Sequence, residues 1–130
     1  MKNILLALVL SLCLASTTFA DALHNKIAAG SNNATVVKTT SGRIKTISAC
    51  NSSAAVKYVK FYNLAVAPTC GTSTPMLRFV LPAGLCMPPL VSDNGIPFNT
   101  GVGYCMLGGA ADSDNTAVTA NDVFLQFTYQ

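Results

Sequence analysis

Apolar and polar residues alternate with period two over several short stretches of this chain, and Gly, Pro, Asn and Ser interrupt them. That pattern predicts strands and turns, and no segment sustains the 3.6-residue repeat of an amphipathic helix. "ATVVKT" (34–39) predicts a first strand, "TSGR" a turn at Gly42, and "RIKTISAC" (43–50) a second strand. In "VKYVKFYN" (56–63), Val59 and Phe61 share one face while Tyr58, Lys60 and Tyr62 share the other. A lysine is expected to face water, which assigns Val59 and Phe61 to the core. "PMLRFVL" (75–81) sends Leu77, Phe79 and Leu81 inward and Arg78 outward. The Pro-rich stretch 85–99 predicts one or two short, irregular strands, and "GVGYCML" (101–107) a strand with close backbone contacts at its glycines. In "DVFLQFTYQ" (122–130), Val123, Leu125, Phe127 and Tyr129 alternate with Phe124, Gln126 and Thr128. About seven or eight short strands with no helix between them predict an all-β domain, a two-sheet antiparallel sandwich or jelly-roll-like barrel over 34–130. Residues 21–33 read as a flexible lead or a short added strand.

The first residues stand apart from this pattern. Lys2, the apolar run from Ile4 to Ala15 and the small residues around Ala20 and Ala22 form the three parts of a secretory signal peptide. Cleavage is expected after Ala20 or Ala22, because the run is too short for a membrane span of about 20 apolar residues. Without Lys2 the chain keeps seven basic against five acidic residues, a net charge of +2 instead of +3. The basic residues are scattered, which argues against nucleic acid as a partner. Cys50, Cys70, Cys86 and Cys105 remain after cleavage, with no C-x-x-C pair among them, so two disulfides are expected rather than a zinc site. Strand 75–81 separates Cys70 from Cys86 by about 23 Å at roughly 3.3 Å per residue, far beyond the ~7 Å Cα limit for a bridge. With loop 64–74 still free to fold back, this favours Cys50–Cys86 with Cys70–Cys105.

No reaction centre is legible. The one histidine, His24, falls close to the expected cleavage point, and the acids after it are Asp93, Asp112, Asp114 and Asp122, with no glutamate anywhere. "DSDN" places oxygens at alternate positions, making Asp112, Asp114 and Asn115 the candidate calcium ligands. The central Gly and terminal bidentate Glu of a hand-type loop are missing, and Asx-turns in a long inter-strand loop are the better account of such a cluster. No cofactor is implied. "NAT" (33–35) and "NSS" (51–53) match the N-glycosylation pattern.

Three blocks carry a resemblance: "GRIKTISACNSSAAVKYVKFYNLAVAPTCGTSTPMLRFVLPAG", "GIPFNTGVGYCMLGGAADSDNTAVTANDV" and "FLQFTYQ". Over roughly 42–130 they resemble a family of small tailed-bacteriophage and prophage virion structural proteins. The resemblance implies a β-sandwich module used in assembly or attachment, with Ala110-Ala111-Asp112-Ser113-Asp114 as a loop signature. The chain departs from that pattern in its export signal and in its four cysteines, two departures that agree with a module stapled in an oxidising compartment.

The expectation is therefore a non-enzymatic, exported structural or assembly module, periplasmic, extracellular or virion-associated. Its partners are expected to be itself or other surface or virion proteins, with Tyr58, Tyr62 and Phe124 as the binding surface. A carbohydrate-binding or adhesin-like module is the alternative, disfavoured by the absence of Trp.

Overall fold

A computed structural model describes residues 20–130, so the expected leader lies, up to residue 19, outside the described residues. Eight strands form in order: β1 (Ala22–Ile27), β2 (Thr35–Lys38), β3 (Gly42–Asn51), β4 (Lys57–Tyr62), β5 (Leu77–Leu81), β6 (Leu90–Phe98), β7 (Val102–Leu107) and β8 (Val123–Tyr129). They make two four-stranded antiparallel sheets, β1-β8-β3-β6 and β2-β7-β4-β5. The antiparallel neighbours include β1 with β8, β2 with β7, β3 with β6 and β4 with β5. These pairs are nested, first with last and inward to the middle, which is the wiring of one long hairpin rolled into a sandwich. Of the two expected architectures, that is the jelly roll.

The expected lead at 21–33 contains an ordered strand. β1 runs along β8 in unbroken register from Ala22–Tyr129 to Ile27–Phe124. Its mixed alternation hides it: His24 and Lys26 take the half-buried positions while Leu23, Asn25 and Ile27 are exposed. β6 is a single nine-residue strand, irregular as the prolines suggested, with a register shift against β3 and a left-handed Gly95 at φ 69°.

Between the sheets lies the main core. β3 shows how a break in alternation is accommodated. Ile44, Ile47 and Ala49 are all buried, yet Ile44 and Ile47 have opposite parity. A bulge between Ile44 and Thr46 adds the extra residue and resets the strand, so both isoleucines reach the interior. Phe61 stands at the centre, with ring centroids of Phe127, Phe79, Tyr104 and Phe98 at 5.3, 5.9, 6.1 and 6.4 Å. Edge-to-face contacts of this kind add roughly 0.5–1.5 kcal/mol each beyond the area they bury. Val59 and Phe61 are core residues, as their alternation predicts.

Two disulfides close the framework, Cys50–Cys86 and Cys70–Cys105. The first ties β3 to the segment before β6. The second ties the loop after β4 to β7.

Candidate functional site

Alternation correctly groups Tyr58, Lys60 and Tyr62 on the outer face of the β2-β7-β4-β5 sheet, but that face is not open to water. Lys60 and Tyr62 are both 0 % exposed, and Tyr58 is half-buried. Two loops, 63–76 and 108–122, lie across the sheet as a third layer. Tyr62, Cys70, Cys105 and Leu107 pack beneath them with Leu64 into a second, small core. The Tyr62 hydroxyl is buried with no hydrogen-bond partner among the described residues, and burial, reinforced by the Asp112 charge, pushes its pKa up. Tyr62 is therefore a packing residue rather than a binding-surface residue.

The acidic loop is held down by its own side chains. Asp114 accepts from the Gly109 N–H at 3.0 Å, the Thr116 N–H at 3.2 Å and the Thr116 hydroxyl at 2.7 Å. Burial pushes this carboxyl upward, but those hydrogen bonds outweigh it and leave its pKa below the ordinary value. A Cβ at Gly109 would come within 2.4 Å of Asp114 Oδ1, so the turn closes around a glycine. Asp112 points the other way, accepting from Arg78 Nε at 2.6 Å, and this hydrogen bond holds its carboxyl below the ordinary range. Asn115 accepts from the Asn32 side chain at 2.6 Å, and buried Lys60 donates to the Ala111 carbonyl at 2.5 Å. The Asp112, Asp114 and Asn115 side chains thus face different protein partners. They anchor the loop and do not converge on a common point.

His24 is equally engaged. Its Nε2 lies 3.0 Å from the Tyr104 hydroxyl, and its ring packs 5.0 Å from that of Phe127. Burial, helped by Lys26, holds the imidazole below its ordinary 6.5. This histidine bridges the two sheets at the β1 edge.

Both glycosylation-type asparagines are structural. Asn33, 5 % exposed, closes the β1–β2 turn in the left-handed region at φ 53°, accepting from the Ala29 N–H at 2.8 Å. Asn51, 1 % exposed, donates to the carbonyls of Ala55, Leu81 and Pro82 at 2.8, 2.9 and 3.1 Å. Neither side chain can carry a glycan in the folded domain.

What stays open is the outer face of the β1-β8-β3-β6 sheet. Thr46, Ser48, Gln126 and Thr128 form the floor of a shallow cleft of about 290 Å³, and Leu23 and Val91 stand on its opposite sides. Leu23, Ile27 and Val91 are 57, 58 and 65 % exposed, and Phe124 38 %. Phe124 is the one expected binding residue that lies here. The outward face of β1 adds two exposed apolar residues, Leu23 and Ile27, on either side of Asn25. At one end of the sandwich Lys38, Arg43, Phe98 and Gln130 line a second cleft of about 390 Å³. There Arg43 is held by the Asn94 and Gly95 carbonyls.

Comparison with protein-family models, curated proteins and solved structures found no match to the chain.

Proposed function

We propose that this protein is a non-enzymatic, exported structural module that works by surface contact, in the assembly or attachment of a virion or cell-surface structure. The observation that carries this reading is the jelly-roll wiring combined with one open, apolar-sided sheet face. Viral capsid and lectin domains use that wiring. Because folds host many functions, the wiring is an analogy, and the face supplies the site. The acids of the 108–122 loop and His24 are engaged in holding structure, which supports contact rather than catalysis. Two disulfides fit an oxidising compartment, and the resemblance to virion structural proteins supports the assembly role.

The test is fractionation of a culture producing the protein with its own leader. The exported chain is expected to begin near Asp21, to be four hydrogens lighter than its reduced form, and to sediment with particles or the cell surface. A Val91→Lys/Phe124→Lys variant should fold and oxidise but remain in the supernatant. If wild type and variant both remain there as soluble protein, the assembly reading fails. Glycan binding by that soluble protein would move the assignment to a carbohydrate-binding module.

A further inference from the structure

Among the described residues the two sheets leave four edge strands, β1, β6, β2 and β5. Three of them carry features that discourage pairing with another chain. β6 contains Pro97 and a register shift. β2 is four residues long with its own shift. β5 is five residues long, lies between Pro75 and Pro82, and has Arg78 at its second position bound to Asp112. β1 differs: six residues, no Pro or Gly, and regular register throughout.

The backbone direction of β1 follows from one hydrogen bond. The Ala28 N–H donates to the Val123 carbonyl at 2.8 Å, continuing the β1–β8 ladder. In an antiparallel strand these groups alternate sides, so His24 and Lys26 point theirs at β8. The N–H and C=O groups of Leu23, Asn25 and Ile27 therefore point outward, to the free edge.

We propose that β1 pairs antiparallel with β1 of a second copy of this chain, across a two-fold axis at Asn25. Only registers that oppose odd with odd positions bring outward-facing groups together. The register centred on Asn25 uses all of them: Leu23 of one copy opposite Ile27 of the other, and Asn25 opposite itself. The side chains are self-complementary about the same centre, because the exposed apolar residues Leu23 and Ile27 flank Asn25 symmetrically. On the other face each Lys26 meets a His24 whose pKa is lowered by burial, which avoids placing two cations opposite one another. The dimer joins two four-stranded sheets into one. It also joins Ile27, paired with Phe124 within its own chain, to the partner's Leu23 in a continuous apolar row.

One strand pair buries less than the ~1,200 Å² of a standard interface, the range of weak association, so the dimer is expected at a concentration on the order of 10–100 µM. This deepens the assembly reading by naming an edge and a partner.

Sedimentation of the oxidised, exported protein up to roughly 500 µM tests it, that ceiling being chosen for a weak interface. Wild type and Asn25→Ala should dimerise. Asn25→Pro removes the outward N–H at the centre as well as the side chain, whose loss Asn25→Ala controls for, and edge strands tolerate proline with its nitrogen facing out. The proline variant should be monomeric, with unchanged melting at low concentration. Asn25→Cys should cross-link to itself, since Cα atoms in a hydrogen-bonded pair lie about 5.5 Å apart. Leu23→Cys should not, its own copy being about 13 Å away. A wild type that stays monomeric overturns the pairing and leaves the edge to a strand of another protein. So does a dimer that persists in Asn25→Pro, or cross-linking by Leu23→Cys alone. The sheet-face variant above reports on the assembly reading separately.

Discussion

Asn51 offers the sharpest test of how the upper end of this domain is held. It sits at the last position of β3, 1 % exposed, and its amide reaches three carbonyls while its Oδ1 accepts from the Ser53 N–H and hydroxyl at 3.0 and 2.7 Å. Asn51→Ala takes away one of two donors to the buried Leu81 carbonyl, which keeps the Lys57 N–H of the β4–β5 ladder, a loss of about 1 kcal/mol. The Ala55 and Pro82 carbonyls are only partly buried; regaining water, they lose about 0.5–1 kcal/mol each. The sum is about 2–3 kcal/mol, or a melting temperature lower by roughly 10 °C for a domain of this size. Asn51→Asp goes further, because it turns a carboxylate toward three carbonyl oxygens. The folded state then resists ionisation, and the carboxyl's folded pKa rises above the unfolded value near 3.9. Between those two values the unfolded chain binds fewer protons, so stability falls as pH rises through the window. Urea unfolding of the oxidised protein at pH 4 and pH 7 separates the two variants. Asn51→Ala should lose about the same at both, and Asn51→Asp markedly more at pH 7. A cost below about 1 kcal/mol for Asn51→Ala, or an aspartate variant that tracks alanine at both values, would refute the reasoning, since one typical hydrogen bond alone contributes about 1 kcal/mol.

Other consequences are as specific. The imidazole of His24 is held below 6.5 by burial, so the unfolded chain takes up the proton first as pH drops. Stability should decline from about pH 6.5 downward to the folded pKa and level off below it; His24→Gln should remove that slope in a pH series of melting curves. Replacing Cys70 and Cys105 by serine opens a 35-residue separation and should cost about 4 kcal/mol in the chain-entropy treatment, with hydrogen exchange rising first in loops 63–76 and 108–122. Gly109→Ala drives a methyl into the Asp114 carboxylate, 2.4 Å from the Cβ position, and should free the Thr116 and Gly109 amides to exchange while leaving the β3 and β8 amides protected.

Much of this fold was legible because alternation is a direct image of a pleated strand. Val59 and Phe61 follow from period two, and strand direction favours the Cys50–Cys86 and Cys70–Cys105 pairing that forms. The candidate site was less legible, for a definite reason. Period two says that Lys60 and Tyr62 share a face with Tyr58, but it is silent on what lies over that face. Two loops distant in sequence cover it, and an Ala111 carbonyl stands where water was expected. β1 was obscured by a related effect: His24 occupies an inward position and is satisfied by Tyr104, a partner 80 residues away. The bulge in β3 likewise breaks parity only locally: strict alternation would set Ile44 and Ile47 on opposite faces, and both are buried.

The loop layer also decides where this domain can be lengthened. Exposed connections are ordinarily where a scaffold accepts a grafted peptide, and the long loop 108–122 after β7 looks like the natural place. Here it is the roof of a buried layer, largely exposed on its outer side: an insertion at Asp112 would uncover the Lys60 ammonium and the Tyr62 ring together. The short turn at Thr39–Ser41 is exposed throughout and sits between β2 and β3. A tag or epitope placed there extends outward without disturbing either core, since insertion tolerance follows backbone burial and hydrogen bonding rather than loop length.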